Sequence, residues 1–329
     1  MTTQHDPFQH TDPLGEALHS LRMRGAFYCP TEVTAPWGAE MPAMPDVLFF
    51  HLVTSGHCLI EVGDEEPLRL ERGDLAVLPR GAGHLIRSDA DAETPLIFDL
   101  PHDYITDQYA ILRYDGGGEP SRLVCGAVQF DHPAARHLID ELPPVVVVRA
   151  TDPAQSDWVN GTMRLLGTEA EQRRPGGEAI VTRLCDVVVI HAVRTWIERN
   201  PAGNAGWLGA LQDPQIGRVV ALINREPTRP WTVESLAAEA AMSRSAFAAR
   251  FTELVGESPM QYVTRWRMHL AVDHLRDPSA PSVAEVGLRL GYQSEAAFSR
   301  AFKRVLGESP GRYRQRETTS PVETWAVAG

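Results

Sequence analysis

Residues 243–259 read SRSAFAARFTELVGESP, and residues 294–310 read SEAAFSRAFKRVLGESP. Both stretches have a Phe-x-x-x-Phe spacing and end on Gly-Glu-Ser-Pro, and a tyrosine follows three residues later in each copy. The copies are offset by 51 residues. Because a solenoid needs at least three stacked repeats to bury a continuous core, two copies indicate two small helical units of one kind, placed side by side.

Each copy completes a helix-turn-helix pattern. Hydroxyl side chains stand at the predicted helix starts, where they accept hydrogen bonds from the exposed amides of a first turn. These predicted N-caps are Thr232, Ser243, Ser282 and Ser294. Gly256 and Gly307 stand where each second helix is predicted to end. A further helix from Met260 to about Arg276 spans about 25 Å, which suits two units held near one turn of duplex apart.

The polar face of each second helix is the predicted DNA-contacting surface. Arg and Gln present paired donors to guanine and adenine edges, Glu accepts from cytosine, and small residues allow close approach. The alternative is that both faces are ordinary solvated helix faces, and the duplication counts against it. The predicted DNA-binding residues are Ser243, Arg244, Ser245, Arg250, Gln293, Ser294, Glu295, Ser299, Arg300 and Lys303.

Residues 213–316 resemble the DNA-binding domain of the AraC/XylS family of bacterial transcription regulators. The most specific stretch, residues 283–314, reads VAEVGLRLGYQSEAAFSRAFKRVLGESPGRYR. Val283 or Val286 stands where the family usually has Ile, and Tyr292 where Phe is common. The resemblance implies seven helices, two of which enter successive major grooves of a promoter half-site, with RNA polymerase as a partner. The protein is thus expected to be a transcription regulator, and an activator.

Charge divides unevenly along the chain. The whole chain of 329 residues has a net charge of −12, which by itself would repel DNA phosphates. Residues 213–316 contain 15 basic and 11 acidic side chains, a balance of +4, so the remainder carries −16. A modest positive balance suits a domain that makes few phosphate contacts and depends on base contacts.

Residues 1–150 are predicted to form a second, β-rich domain. Short apolar runs such as 47–53, 58–62 and 74–78 are separated by Gly- and Pro-containing turns, which is typical of a barrel or jelly roll. The sequence contains no secretory signal and no apolar run long enough to span a membrane, so we expect a cytoplasmic protein. The predicted fold class is a multidomain α+β protein with this barrel, a helical segment and a C-terminal all-α domain.

The stretch GDLAVLPRGAGH, residues 73–84, resembles the second sequence motif of cupins, which are small β-barrels with a central pocket. His84 would be a ligand in a metal-binding cupin, but the His-x-His and Glu of the first motif are missing. The resemblance therefore implies a sensor pocket of the kind found in one branch of AraC regulators. A metal-dependent cupin enzyme fused to a DNA-binding domain is the alternative.

The cysteines leave three readings open for the sensor. Cys29 and Cys125 match cysteine positions in the branch that the sequence resembles. They are core residues, redox-active thiols that respond to an oxidant, or, with His51 and His84, the ligands of a zinc ion. No cofactor is otherwise implied, and the effector is a small molecule, an oxidant or a metal.

Residues 151–206 are predicted to form a helical dimerisation and linker segment. Apolar residues recur at helical spacing between Ile180 and Ile197, and a Pro- and Gly-containing stretch follows at 200–206. This face either pairs with a second copy, giving a homodimer, or packs onto the barrel. Residues 317–329 are assigned to a tail. A purely architectural DNA binder is a third class of function, which lack of promoter preference would favour.

Overall fold

The computed structural model describes residues 15, 23–45, 47–130, 138–150, 157–172, 174–200, 207–276 and 282–315. The predicted tail at 317–329 and most of residues 1–22 lie outside the described residues. The chain divides into two compact units. One is built from Arg22–Asp131 and Leu142–Arg199, and the other is centred on Asn200–Thr318.

The first unit is a two-sheet β structure. Seven strands form one sheet in the order β11-β6-β3-β10-β1-β9-β8, and four form another in the order β2-β7-β4-β5. The strands are β1 (Met23–Thr34), β2 (Gly38–Met41), β3 (Val47–Ser55), β4 (His57–Val62), β5 (Leu68–Glu71), β6 (Leu75–Leu78), β7 (His84–Arg87), β8 (His102–Thr106), β9 (Tyr109–Asp115), β10 (Pro120–Phe130) and β11 (Val146–Val148). The cupin-like barrel predicted from the sequence is thereby confirmed.

Strand register aligns three polar residues in one row of the large sheet. Cys29 of β1 lies opposite Cys125 of β10, and Cys125 lies opposite His51 of β3. Since neighbouring residues directly across a sheet project to the same face, the three side chains share one side. That side is the interior, where a continuous apolar core fills the space between the sheets.

The predicted segment 151–206 contains a helical hairpin in the same unit. Its helices are α1 (Asp157–Gln172) and α2 (Gly177–Arg199). The hairpin packs on the large sheet, with α1 against β3 and β10 and α2 against β6 and β11. On α2, Val181, Cys185 and Val188 are buried, whereas Ile180 and Val187 stay exposed. One face of α2 therefore packs within the unit, as one of the two readings of the sequence expected.

The second unit is all-helical within the described residues. Its helices are α3 (Trp207–Gln212), α4 (Ile216–Arg225), α5 (Val233–Glu239), α6 (Arg244–Val255), α7 (Pro259–Arg276), α8 (Val283–Arg289), α9 (Glu295–Leu306) and α10 (Pro310–Gln315). The first helix-turn-helix consists of α5 and α6, the second of α8 and α9. We call these two helix-turn-helix motifs the first pair and the second pair.

The predicted caps form in both pairs. Thr232 and Ser282 each accept from the amide three residues on, and each closes a capping box with Ser235 or Glu285. Ser243 and Ser294 likewise accept from amides of the following helices. Gly256 and Gly307 end α6 and α9 with φ of 81° and 82°, the left-handed region that favours glycine.

The aromatic cores of the two pairs have nearly the same distances between ring centroids. Phe247 and Phe251 lie 5.5 Å apart between ring centroids, and Phe251 meets the edge of Tyr262 at 5.8 Å. In the second pair, Phe298 lies 5.7 Å from Phe302, which in turn meets Tyr313 at 5.8 Å. All four phenylalanines are fully buried, so their repeated spacing encodes the fold and not DNA contact.

Candidate functional site

The predicted DNA-contacting residues lie on the outer faces of α6 and α9. All of them are exposed except Ser299, which is half-buried. Ser243 and Ser294 also cap their helices, so their hydroxyls are partly committed to the backbone. The two faces differ in how their charged side chains are paired.

On the first pair, both basic residues have acidic partners. Arg244 forms an ion pair with Glu234 of α5 at 2.9 Å. Arg250 donates through Nε to Asp213 Oδ2 at 3.1 Å. Asp213 also accepts from the amides of Gln215 and Ile216 at the start of α4, and these bonds, with the Arg250 contact, hold the pKa of its carboxyl below its usual range although burial opposes them. Arg250 therefore has a structural partner that the sequence did not reveal.

On the second pair, the basic side chains are available. Within the described residues, Arg300 and Lys303 make no ion pair or hydrogen bond with other side chains. Residues 232–256 carry a net charge of −1 and residues 282–307 carry +2. The second pair is therefore the more electropositive of the two.

A cavity of ≈ 40 Å³ lies within the barrel. Its wall is mostly apolar and includes Phe27, Val33, Met41 and Leu112. The sequence-predicted sensor residues Cys29, His51 and Cys125 also line it. The structure therefore brings these three predicted residues together, because the register of β1, β10 and β3 places them side by side.

A hydrogen-bond chain connects the cavity wall to the small sheet. Cys125 Sγ lies 3.1 Å from His51 Nδ1, and His51 Nε2 lies 2.8 Å from Nε2 of His84. The Nδ1 of His84 lies 2.9 Å from the carbonyl of Ala82. Because a carbonyl only accepts, His84 carries its proton on Nδ1 and accepts at Nε2 from His51. His51 then accepts at Nδ1 from the Cys125 thiol, so all members are paired in their neutral forms.

Burial keeps each member of this chain uncharged. It lowers the pKa of His84 to about 4, although the bond to Ala82 opposes the shift. It lowers the pKa of His51 as well, and His84 adds to that effect. Burial also raises the pKa of the Cys29 thiol to about 12, and that of Cys125 well above its usual value. At neutral pH, therefore, these thiols hold their protons and are poor nucleophiles.

The four residues do not form the zinc set that the sequence allowed. Cys125 contacts Nδ1 of His51, whereas His84 contacts Nε2, on the other side of the ring. One ion bound between the two Nε2 atoms would thus be out of reach of the Cys125 sulfur. No group of three or more His, Cys, Asp or Glu side chains in the described part of the chain is arranged to hold a metal.

Trp37 is a cavity residue that the sequence did not single out as a site. It lines the cavity, is 5% exposed, and its indole Nε1 has no hydrogen-bond partner among the described residues. Its backbone is held by Ser88, whose hydroxyl accepts from the Trp37 amide at 3.1 Å and whose amide donates to the Trp37 carbonyl at 2.9 Å. A tryptophan next to a turn carries no pattern that distinguishes a binding residue from a core residue.

Tyr28 links the cavity strand to α2. Tyr28 and Cys29 are neighbours in β1, so their side chains point to opposite faces of the sheet. Cys29 lines the cavity, and the Tyr28 hydroxyl lies 3.4 Å from Asp186 Oδ1 on α2. Burial raises the pKa of the Asp186 carboxyl, which is consistent with a partly enclosed contact. A shift of β1 would therefore move both the cavity wall at Cys29 and the Tyr28 contact with α2.

Comparison with known proteins follows the same division. Residues 12–198 match the cupin family, and residues 236–316 match a helix-turn-helix domain family. An AraC-like transcription regulator of Streptomyces antibioticus is 36% identical over 308 residues, which cover 92% of this chain and 98% of that protein. The chain belongs to the AraC-like transcription regulators. It therefore combines a cupin domain with a helix-turn-helix domain, as its sequence predicted.

Two further similarities are to a full-length regulator and to a DNA-binding domain. The HTH-type transcriptional regulator AlkR of Acinetobacter baylyi (strain ATCC 33305 / BD413 / ADP1) is 28% identical over 318 residues, covering 93% of this chain and 99% of that protein. The DNA-binding domain of AdpA, the global transcriptional factor, solved in complex with a target DNA, is 40% identical with a TM-score of 0.29, and the match covers 31% of this chain and 91% of that one. None of the described helices has the length and apolar character needed to cross a bilayer.

Proposed function

We propose that this AraC-like regulator is an effector-responsive activator that binds promoter DNA sequence-specifically. The observation that carries the proposal is the pairing of an enclosed, mostly apolar cavity in the cupin domain with two exposed, capped DNA-facing helices in the other domain. An effector that favours the DNA-competent arrangement by a few kcal/mol would change promoter occupancy strongly.

Sequence readout is assigned mainly to the second pair. Arg300 and Lys303 on α9 are exposed without competing carboxylates in the described residues, whereas Arg244 and Arg250 on α6 each have one. Bases or phosphates therefore compete with Glu234 or Asp213 for the first pair's guanidinium groups. Gln293 and Glu295, two further predicted contacts of the second pair, are also exposed.

A small organic molecule is the effector class that the cavity favours. The wall is apolar, the thiols are protonated, and the two histidines are neutral, so the site suits an uncharged compound better than a metal ion. Burial raises the pKa of the Cys29 thiol to about 12, so the thiol is protonated at pH 7, which slows attack on an oxidant.

Oxidant sensing is retained as a second candidate because of one observation. Cys29 and Cys125 lie directly opposite each other in antiparallel register, and Thr31 Oγ1 lies 3.9 Å from both sulfurs. A two-electron oxidant would join the two thiols in a disulfide and release two protons.

Homodimerisation and RNA polymerase contact complete the proposal. Ile180 and Val187 on α2 remain exposed after the hairpin has packed within its own unit, and Leu165 on α1 is also exposed. These side chains form the proposed pairing surface for a second copy. A metal-dependent enzyme is the weaker alternative, because the described residues offer no convergent set of metal ligands.

Selection of DNA by the full-length chain tests the proposal. We expect protein incubated with random-sequence duplexes to enrich two sequence blocks about 10 base pairs apart, one for each helix-turn-helix pair. Adding small molecules extracted from cells should then change the affinity of the protein for the enriched duplex. Binding without an enriched sequence would instead identify an architectural DNA binder, and enrichment that no small molecule or oxidant alters would remove the sensor role.

A further inference from the structure

We propose that the barrel cavity binds a small, uncharged, apolar molecule with one hydrogen-bond acceptor, and that the Trp37 indole N–H donates to this acceptor. The inference rests on the proposed sensor function and specifies the chemistry of its effector. Trp37 thereby becomes the specificity-determining residue of the cavity.

The composition of the wall limits the ligand. No Lys, Arg, Asp or Glu side chain lines the cavity within the described residues. A charged ligand would lose its hydration there without gaining an opposite charge, which is costly. The volume of ≈ 40 Å³ is about three times what one buried water requires, so a compact molecule of about three or four heavy atoms is the appropriate size.

Thr31 and His51, two polar residues of the wall, already have hydrogen-bond partners, whereas the Trp37 indole has none among the described residues. Thr31 donates to the carbonyl of Cys29 at 3.2 Å. His51 uses both ring nitrogens, one toward Cys125 and one toward His84. Trp37 Nε1, by contrast, is buried and meets no acceptor among the described residues. Because a buried N–H without an acceptor is unfavourable, a ligand that supplies an acceptor relieves that cost on binding.

The indole is also held in place before a ligand arrives. The two hydrogen bonds between Trp37 and Ser88 fix the backbone on which the ring stands, and Ser88 is itself buried. A donor fixed in this way loses little freedom when it binds, so the acceptor contributes to affinity with a small entropic loss. The donor therefore discriminates between ligands that match in shape but differ in one oxygen.

Acetone and 2-methylpropene provide the direct test, since the second replaces the carbonyl oxygen with a methylene group. Full-length protein labelled with ¹⁵N is titrated with each compound, and the indole N–H signals of its seven tryptophans are followed. Trp37→Phe identifies the Trp37 signal. We expect acetone to shift that signal and to bind about fivefold more tightly than 2-methylpropene, the value of one ordinary hydrogen bond.

Two variants distinguish the contribution of the indole N–H to binding from that of the rest of the cavity. Trp37→Phe should still bind both compounds, with the fivefold preference lost. Trp231→Phe is the matched control, because its indole donates to the Glu226 carbonyl in the other domain, and its preference should remain. The wild-type titration alone also decides the matter if Trp37→Phe does not fold.

The outcomes distinguish a failure of the proposed ligand class from a failure of the proposed sensor function. Equal affinity for the two compounds, or tighter binding of the anion acetate, would overturn the assignment of an uncharged acceptor ligand. Failure of both neutral compounds to bind protein that still recognises its enriched duplex would overturn the cavity as a sensor site. Loss of duplex recognition by the wild type would instead count against the proposed function itself.

Discussion

The first and second helix-turn-helix pairs share their caps, their terminal glycines and their aromatic core, but they differ in charge and in the turn. The amides of Met242 and Tyr292 both bond the carbonyl five residues back, at Ala237 and Gly287. Equivalent residues of the two pairs, such as Met242 and Tyr292, are thus 50 positions apart in the sequence before the end of the turn. The caps that follow the turn, Ser243 and Ser294, are 51 positions apart. The second turn therefore contains one extra residue, Gln293.

This comparison teaches that a repeated fold need not mean a repeated function. Residues buried in both pairs are matched because the same core must form twice. Residues exposed on α6 and α9 are free to differ, and there the first pair carries partnered arginines while the second carries unpartnered basic side chains in the described part of the chain. The following predictions test this contrast.

The largest effect is expected from removing Arg300. Arg300→Ala should weaken binding to the enriched duplex by about 1–3 kcal/mol if the guanidinium contacts a base edge. Arg244→Ala should cost under about 1 kcal/mol, because Arg244 must give up its Glu234 partner to reach DNA. Fluorescence anisotropy at one fixed salt concentration measures both. Equal losses for the two variants would contradict the assignment of readout to the second pair.

A smaller, structural effect is expected where the two pairs differ in packing. A Cβ on Gly287 would lie 2.9 Å from Phe298 Cβ, whereas the equivalent Ala237 already has a methyl group. Gly287→Ala should therefore destabilise the second pair by about 1–3 kcal/mol through overpacking. Hydrogen-exchange mass spectrometry of the full chain should show faster exchange in residues 282–307.

The reverse substitution in the first pair is the matched control. Ala237→Gly should cost about 1 kcal/mol from helix propensity, and it should affect residues 232–256 alone. Unchanged protection in Gly287→Ala would show that α8 can move away from Phe298 without loss.

The smallest effect is expected at the turn itself. Gly291 has φ of 83°, and the equivalent Ala241 has φ of 52°, a left-handed conformation that alanine tolerates poorly. Gly291→Ala should destabilise its pair by about 1 kcal/mol, whereas Ala241→Gly should be neutral or slightly stabilising. Thermal unfolding of the full chain gives the sign of the stability change for each variant. Hydrogen exchange in each pair then shows which pair has changed. Destabilisation by Ala241→Gly would show that the turn is not strained.

Much of the DNA-binding domain was predictable from sequence because its signals are local. Thr232 and Ser294 are recognised as caps from their own neighbours, and Phe247 and Phe298 from helical spacing. The confirmed barrel was likewise indicated by short apolar runs and turns. The exact DNA contacts and the homodimer stay predictions, since neither duplex nor second copy constrains them.

The cavity depended on contacts that no local pattern encodes. The sequence selected Cys29, His51, His84 and Cys125, but allowed them to be core residues, thiols of a redox pair or zinc ligands. Strand register then decided the arrangement, placing Cys125 and His84 on different nitrogens of His51. In the same way, only tertiary packing paired Arg250 with Asp213, which lies 37 residues away.

By itself, the sequence determined the two helix-turn-helix pairs, their caps and core, the β-rich domain and the family, because helix periodicity, capping and turn chemistry act over a few residues. The tertiary structure alone decided which charges on α6 are neutralised, which imidazole nitrogen faces the thiol, and which buried donor has no partner. Those outcomes depend on distances of about 3 Å between residues far apart in the chain, and such distances are set only when the sheets and helices pack.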